Sequence, residues 1–276
     1  MIKDITLGQF FPGNSVLHRL DPRTKIILSV VYIVAIFMAG NALCYAALVI
    51  SAVLLVLISR ISLKVVLRGL RPIVIVLIFT TILNVFFTGP AGSEAPLIEF
   101  YFIRIYLAGI IRAVLMVIRV VVLIIGTSVF LTYTTSPIML TDAIEELLLP
   151  LKKIKLPVHE FAMMMTIALR FIPTLVEETD KIMNAQKSRG ADFSSGGLIK
   201  RAKSLIPILV PLFVSAFKRA DDLATAMECR CYRGGDYRTK MTKLHFASRD
   251  LLWFFLVAAF LTAIILANIY LPIGAV

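Results

Sequence analysis

The longest apolar stretch of the chain covers residues 26–59, which are 34 residues without a charged side chain. As a single helix this stretch would rise about 51 Å at ~1.5 Å per residue, well beyond the roughly 30 Å hydrocarbon core of a bilayer. Gly40 and Asn41 lie near its middle and favour a turn. The sequence therefore predicts two short membrane-spanning helices, at residues 26–39 and 43–59, joined by a tight hairpin.

Three further apolar runs have the length of a membrane span. The third predicted span opens at Pro72 and ends at Gly89-Pro90, the fourth covers residues 109–134, and the last covers residues 251–271 before Pro272. Between the third and the fourth, residues 96–107 mix aromatic and charged side chains, which suits the headgroup level. A short basic loop is predicted ahead of Pro72, containing Arg60, Lys64, Arg68 and Arg71.

The basic residues are distributed unevenly about these spans. All but three of the 29 Lys and Arg residues fall in segments 1–25, 59–71 and 135–250. The positive-inside rule assigns such segments to the cytoplasm. We therefore expect a multi-pass protein of the cell membrane with a cytoplasmic N-terminus and an external C-terminus. The exceptions are Arg104, and Arg112 and Arg119, which share one face of the fourth helix and are expected to face the bundle or reach the interface.

Residues 135–250 combine many charges of both signs with long apolar stretches, which predicts amphipathic helices beneath the membrane. Pro and Gly residues divide this segment into helices at 137–149, 158–188 and 198–230. The expected fold class is all-α, an integral membrane bundle of about five transmembrane helices with a cytoplasmic module of three amphipathic helices. The expected domains are a cytoplasmic N-terminal segment (1–25), transmembrane helices 1 to 4 (26–134), the cytoplasmic module (135–250), and the last transmembrane helix with the external C-terminus (251–276).

The ends of the two long cytoplasmic helices resemble each other at a constant offset of 41 residues, with Ser188-Arg189-Gly190 matching Cys229-Arg230-Cys231. An Arg in the last turn of a helix can reach beyond the helix end and pair with a carboxylate of a partner. Alternatively, the Arg only complements the helix dipole and Gly190 only supplies a left-handed cap. The sequence leaves both interpretations open.

Three features together resemble the EcfT (CbiQ-like) family of transmembrane subunits of energy-coupling factor transporters, which import vitamins and transition-metal ions. They are the run that begins Gly8-Gln9-Phe10-Phe11-Pro12-Gly13, residues 18–25 before the first span, and the paired Arg tripeptides. The resemblance covers nearly the whole chain. It implies that each tripeptide closes a coupling helix, which docks in a groove of one of two ATPase subunits.

Carried over residue by residue, the resemblance implicates six residues in ATPase docking: Ser188, Arg189, Gly190, Cys229, Arg230 and Cys231. Cys231 stands where the family usually has Gly, although Tyr232-Arg233-Gly234-Gly235 continue as family members often do. The resemblance also implies that ATP and Mg are bound by the partner ATPases, that this chain holds no cofactor, and that a small substrate-binding membrane subunit recognises the cargo. The expected role is a non-catalytic scaffold that transmits ATP-driven motion.

Other classes of function find less support in the residues. The predicted spans contain no Asp or Glu, and the chain lacks a phosphate-binding loop, which argues against an intramembrane enzyme and against ATP hydrolysis by this chain. Cys229 and Cys231 are too few for a structural zinc site, and only three His residues occur. The positive-inside distribution accounts for the excess of Lys and Arg over Asp and Glu, so no nucleic-acid partner is expected. The alternative function is a secondary transporter or channel subunit that works without ATPases.

Overall fold

The structure is a computed structural model that describes residues 10–87, 98–100, 103–191, 193, 197–234 and 244–270. Contacts divide the chain into two compact units. We call residues 8–140 with 244–276 the bundle unit, and residues 1–7 with 141–243 the hairpin unit. The regular elements are α1 Pro22–Met38, α2 Ala42–Ser59, α3 Leu63–Phe87, β1 Ile98–Phe100, β2 Ile103–Ile105, α4 Leu107–Thr127, a π-helical turn Ser128–Thr132, α5 Pro137–Leu148, a 3₁₀ segment Leu149–Ile154, α6 Val158–Ser188, α7 Leu198–Cys229 and α8 Ser248–Tyr270.

The predicted helical membrane fold is confirmed. Within the described residues, four helical segments are long and apolar enough to cross a membrane: α2, α3, Leu107–Tyr133 and α8. Helix α1 has 17 residues and packs against α4 and α8. Its crossing of the membrane stays a prediction, since about 26 Å of helix is slightly short of the hydrocarbon core. The predicted break at Gly40-Asn41 separates α1 from α2 as expected.

The core of the bundle unit forms where α1 meets the end of α4. Tyr32 of α1 stacks on Phe260 of α8 at 6.2 Å between ring centroids and meets the edge of Phe130 at 5.9 Å. Gly126 makes this approach possible, because a Cβ atom there would lie only 2.2 Å from the Tyr32 ring. A residue without a side chain therefore sets the distance between α1 and α4.

The start of the third helix differs from the prediction. Helix α3 begins at Leu63, so Lys64, Arg68 and Arg71 belong to its first turns and Pro72 lies inside it. Pro72 removes one backbone hydrogen bond, but the Leu, Lys and Arg residues around it favour helix and carry the helix through.

Several predicted features near the helix ends lie partly outside the described residues. Within the segment predicted at 96–107, β1 and β2 pair antiparallel, with Glu99 opposite Arg104, which adds a small ribbon to the helical fold. Its placement at the headgroup level stays a prediction. Four predicted features fall on residues that the structure does not describe: Gly8-Gln9, the end at Gly89-Pro90, Gly235 and Pro272.

The expectation that Arg119 faces the bundle is confirmed. Its guanidinium donates to the carbonyl oxygen of Ala39 at 2.8 Å and to the hydroxyl of Tyr45, and it lies 5.4 Å from the centre of the Tyr45 ring. These contacts join α4 to the end of α1 and to α2. Arg112, one heptad earlier on α4, is exposed.

For α5, α6 and α7, the predicted bounds agree with the structure to within one residue. The 3₁₀ segment between α5 and α6 was not predicted. It ends at Lys155, which adopts a left-handed conformation with φ 62°. His159 near the start of α6 makes a hydrogen bond of 2.8 Å to the buried Glu145 of α5. This contact holds α5 against α6 across the connecting segment.

Candidate functional site

Helix α6 ends in a complete Schellman cap. Arg189 is the C-cap residue of the helix, and Gly190 follows with φ 84°. The Gly190 amide donates to the Lys187 carbonyl and the Ala191 amide donates to the Gln186 carbonyl, both at 3.0 Å. This pair of bonds defines the motif and requires a left-handed residue at the position of Gly190.

Helix α7 ends in the same motif, although a Cys replaces the Gly. Cys231 adopts φ 57°, its amide donates to the Glu228 carbonyl at 2.8 Å, and the Tyr232 amide donates to the Met227 carbonyl at 3.1 Å. Arg230 occupies the position of Arg189. The sequence resemblance of the two helix ends is therefore matched bond for bond in their backbones, including the position where the usual Gly is absent.

The two arginines are available to a partner. Arg189 and Arg230 are both exposed, as are Ser188, Gly190, Cys229 and Cys231. Neither guanidinium pairs with a carboxylate among the residues that the structure describes. Among the described residues, this geometry fits both a role at the helix dipole and pairing with a carboxylate of another chain.

The two thiols of the second tripeptide are free. Cys229 and Cys231 are exposed and form no disulfide. The described part of the chain holds no cluster of three or more His, Cys, Asp or Glu side chains able to bind a metal ion.

Helices α6 and α7 pack antiparallel, which places the two arginines at opposite ends of the pair. Glu178 of α6 pairs with Arg219 of α7 at 2.7 Å and accepts a hydrogen bond from the Ser215 hydroxyl. Nearer the end of α7, Thr166 and Met227 line one groove. Since 26 residues separate Met163, which lines the same groove, from Arg189, the two tips lie roughly 40 Å apart along α6.

The Glu178 pair keeps its charge over a wide pH range. The Ser215 hydroxyl has the largest effect and lowers the pKa of the Glu178 carboxyl. Burial raises this pKa, but Arg219 and Lys181 lower it further, so that it lies below its usual value. The carboxylate is therefore ionised throughout the neutral range, and its contribution to the pairing of α6 with α7 is lost only as the pH falls through this lowered pKa.

The distinctive segment at residues 18–25 builds a buried polar cluster in the bundle unit. Asp21 caps α1 by accepting from the Arg23 amide at 2.8 Å, as its position before Pro22 predicts. Lys25 is 1% exposed, and its ammonium donates to the Thr134 carbonyl at 2.8 Å. The Asp21 amide donates to the carboxylate of Asp250 at 2.8 Å.

Sequence reasoning missed Lys25 and Asp250 as partners of this cluster. Asp250 also accepts from the Ala247 amide at 2.8 Å and so caps α8. The cluster thus joins the start of α1 to Thr134, which follows the π-helical turn, and to Asp250 in the first turn of α8. The single signal in the sequence was an acidic residue at the start of an otherwise apolar helix.

Comparison with known proteins assigns this chain to a family. The model of a family described as cobalt transport protein, CbiQ, matches residues 13–244. The chain is 55% identical to the energy-coupling factor transporter transmembrane protein EcfT of Clostridium kluyveri, over 91% of this chain and 92% of that protein. It is 54% identical to EcfT of Ruminiclostridium cellulolyticum, over 96% and 98% of the two chains, and 47% identical to EcfT of Bacillus subtilis, over 91% and 93%.

Proposed function

The chain belongs to the CbiQ family, as one of the EcfT transmembrane proteins of energy-coupling factor transporters, and we propose that it couples two ATPase subunits to a small substrate-binding membrane subunit. In this role the chain binds neither ATP nor Mg, which are held by the ATPases. The cargo, a vitamin or a metal ion, is recognised by the substrate-binding subunit.

The observation that carries the proposal is the repeated helix end. Two helices of one antiparallel pair finish in the same cap, and each presents an exposed Arg with no described carboxylate partner. A rigid helix end with a free guanidinium fits a carboxylate on another chain, because the planar group can form two parallel hydrogen bonds. Two such ends suit two partner subunits, and the six residues of the tripeptides are proposed as the docking contacts.

The proposed mechanism uses the stiffness of helices α6 and α7. When the ATPases approach each other on binding ATP, they move the Arg189 and Arg230 tips, which lie at opposite ends of the pair. The Glu178–Arg219 contact holds the two helices together, so that movement of the tips tilts the pair as a whole. The substrate-binding subunit, docked on the apolar face of the pair, is tilted with it. This mechanism requires the hairpin unit to lie in the cytoplasm, as the distribution of basic residues predicts.

The proposal is tested by charge reversal at the tips. The chain is co-expressed with candidate ATPase subunits as wild type, as the single variants Arg189→Glu and Arg230→Glu, and as the double variant. Each single variant should retain one ATPase through the intact tip, and the double variant should retain none. Lys218→Glu is the matched control, because Lys218 is exposed on α7 away from both tips.

The amount of each variant in the membrane fraction shows whether it still inserts. If the double variant inserts normally and keeps both ATPases, electrostatic docking at the tips is wrong. If the wild type recovers no ATPase, the coupling function itself fails, and a secondary transporter becomes the better interpretation.

A further inference from the structure

A groove of about 680 Å³ lies between the first half of α6 and the end of α7. It opens beside the Arg230 tip and belongs entirely to the hairpin unit. From α6 it is lined by Met163, Thr166, Ile167 and Arg170, and from α7 and the residues after it by Leu223, Met227, Arg230, Cys231, Tyr232, Arg233 and Gly234.

The charge of this groove is of one sign. Arg170, Arg230 and Arg233 are exposed around it, and its described lining contains no Asp or Glu. None of the three guanidinium groups forms a salt bridge within the described residues. Three unpaired guanidinium groups around one concave surface favour a ligand that carries several negative charges.

The floor of the groove is apolar, which distinguishes it from a merely solvated basic surface. Met163, Ile167, Leu223 and Met227 line it and are half-buried, whereas the three arginines are exposed. Arginine and methionine are enriched where proteins bind proteins, because they combine charge or polarisability with apolar contact area. A segment of a protein with acidic side chains and an apolar residue between them fits this surface.

The two tips differ in charge immediately beyond their shared cap. Arg233 follows Arg230 by three residues, whereas the residue at the same distance from Arg189 is Asp192. The two tips share the same backbone cap, but the residues three positions after their arginines, Arg233 and Asp192, have opposite charges.

We propose that this groove receives an acidic segment of the ATPase that docks at Arg230, and that Arg170 of α6 and Arg233 belong to the same interface. The proposal rests on the proposed function, which supplies the ATPase as the partner. Its interface is continuous with the Arg230 tip, since Arg230 lines the groove. Helix α6 thus contributes to binding at the end of α7 as well as at its own end.

The test isolates the Arg230 tip by working in an Arg189→Glu background. The affinity of the purified protein for the purified ATPase subunits is measured for that background alone and with Arg170→Glu, Arg233→Glu, Arg230→Glu or Lys218→Glu added. Arg170→Glu and Arg233→Glu should each raise the Kd about tenfold or more, and their effect should shrink at high salt. Arg170→Gln should give a smaller loss, and Lys218→Glu should change the Kd less than twofold.

The outcomes distinguish failure of this inference from failure of the proposed function on which it rests. If Arg230→Glu abolishes binding while Arg170→Glu behaves like Lys218→Glu, the groove is not part of the interface and the docking function stands. If the background protein binds no ATPase although the wild type does, Arg230 has no independent docking site and the inference is wrong. If Arg170→Glu leaves ATPase binding intact but reduces binding to phosphatidylglycerol vesicles, the groove faces lipid instead and the inference is also wrong. Failure of the wild type to bind any ATPase overturns both proposals.

Discussion

At the scale of single residues, the left-handed conformation of Cys231 carries a measurable cost. An L-residue with φ near 57° is less stable there than Gly by about 1–2 kcal/mol. Cys231→Gly should therefore tighten the end of α7 by about 1 kcal/mol, and Gly190→Ala should loosen the end of α6 by a similar amount. A Cβ atom at Gly190 would meet no atom within 4 Å, so that loss reports backbone strain alone.

The measurement for these two variants is amide hydrogen exchange in the last turns of α6 and α7. About 1 kcal/mol corresponds to a roughly fivefold change in exchange rate if these ends open locally. Each variant should affect its own helix end, which makes each helix the control for the other. Unchanged exchange at the end of α7 in Cys231→Gly would mean that Cys231 is not strained in solution.

Residue-scale prediction from the sequence succeeded where the signal is local. Asp21 caps α1 as its place before Pro22 predicts, and the tripeptides end α6 and α7 where the repeat places them. The bonds of Lys25 and Asp250 could not be predicted, because Asp21 and Asp250 are 229 residues apart and no local pattern encodes their meeting. The left-handed Cys231 was likewise hidden, since this conformation is rare for residues other than Gly.

At the scale of elements, the packing of α1 on α4 depends on the absence of a side chain at Gly126. Gly126→Ala should destabilise the bundle unit by about 1–3 kcal/mol, because the added methyl group overlaps the Tyr32 ring. Thermal unfolding of the detergent-solubilised protein measures the loss. The loss should persist in a Tyr32→Phe background, which keeps the ring, and should shrink in a Tyr32→Leu background. An equal loss in both backgrounds would exclude the ring as the cause.

Helix α7 presents an apolar face that the proposed function assigns to the substrate-binding subunit. Its members are exposed and recur at helical spacing: Ile206, Val210, Phe213, Val214 and Phe217. Phe213→Glu should reduce co-purification of the substrate-binding subunit about tenfold or more, since a charge in an apolar interface is costly to desolvate. ATPase recovery should not change. Asp222→Lys, on a different face of α7, is the control, and an equal effect of both variants would remove this face as the docking surface.

The elements themselves differ in how well the sequence predicted them. Helices α6 and α7 were predicted to within one residue because Pro157, Gly197 and the Arg tripeptides mark their ends. The start of α3 lies nine residues before the predicted one. Pro72 is typical of a first helical turn, but the Lys and Arg residues before it are good helix formers and extend the helix back to Leu63. The π-helical turn after α4 has no comparable signal in the sequence, since its residue Phe130 packs against Tyr32 of α1, which is distant in the chain.

At the scale of the whole molecule, coupling requires that the hairpin unit lie in the cytoplasm, where the ATPases bind ATP. The native cysteines test this directly, because Cys44 is buried while Cys229 and Cys231 are exposed at one tip. In cells that express the chain without ATPases, a membrane-impermeant thiol reagent should label the protein only after permeabilisation. The double variant Cys229→Ser, Cys231→Ser should remain unlabelled in both conditions.

An opposite result is expected for a thiol at the C-terminus, which the positive-inside rule places outside the cell. Ala275→Cys in the double Ser background should be labelled in intact cells, because the single crossing by α8 separates the C-terminus from the cytoplasmic hairpin unit. A thiol before α1 tests its crossing: Asn14→Cys in the same background should react only after permeabilisation if α1 crosses, and in intact cells if only α2, α3 and α4 separate it from the hairpin unit. Labelling of Cys229 and Cys231 in intact cells would place the Arg tips beyond the reach of any ATPase and overturn the coupling function. The thiol before α1 and the thiols at the tip therefore decide separately whether α1 spans the membrane and whether the tips can meet their partners.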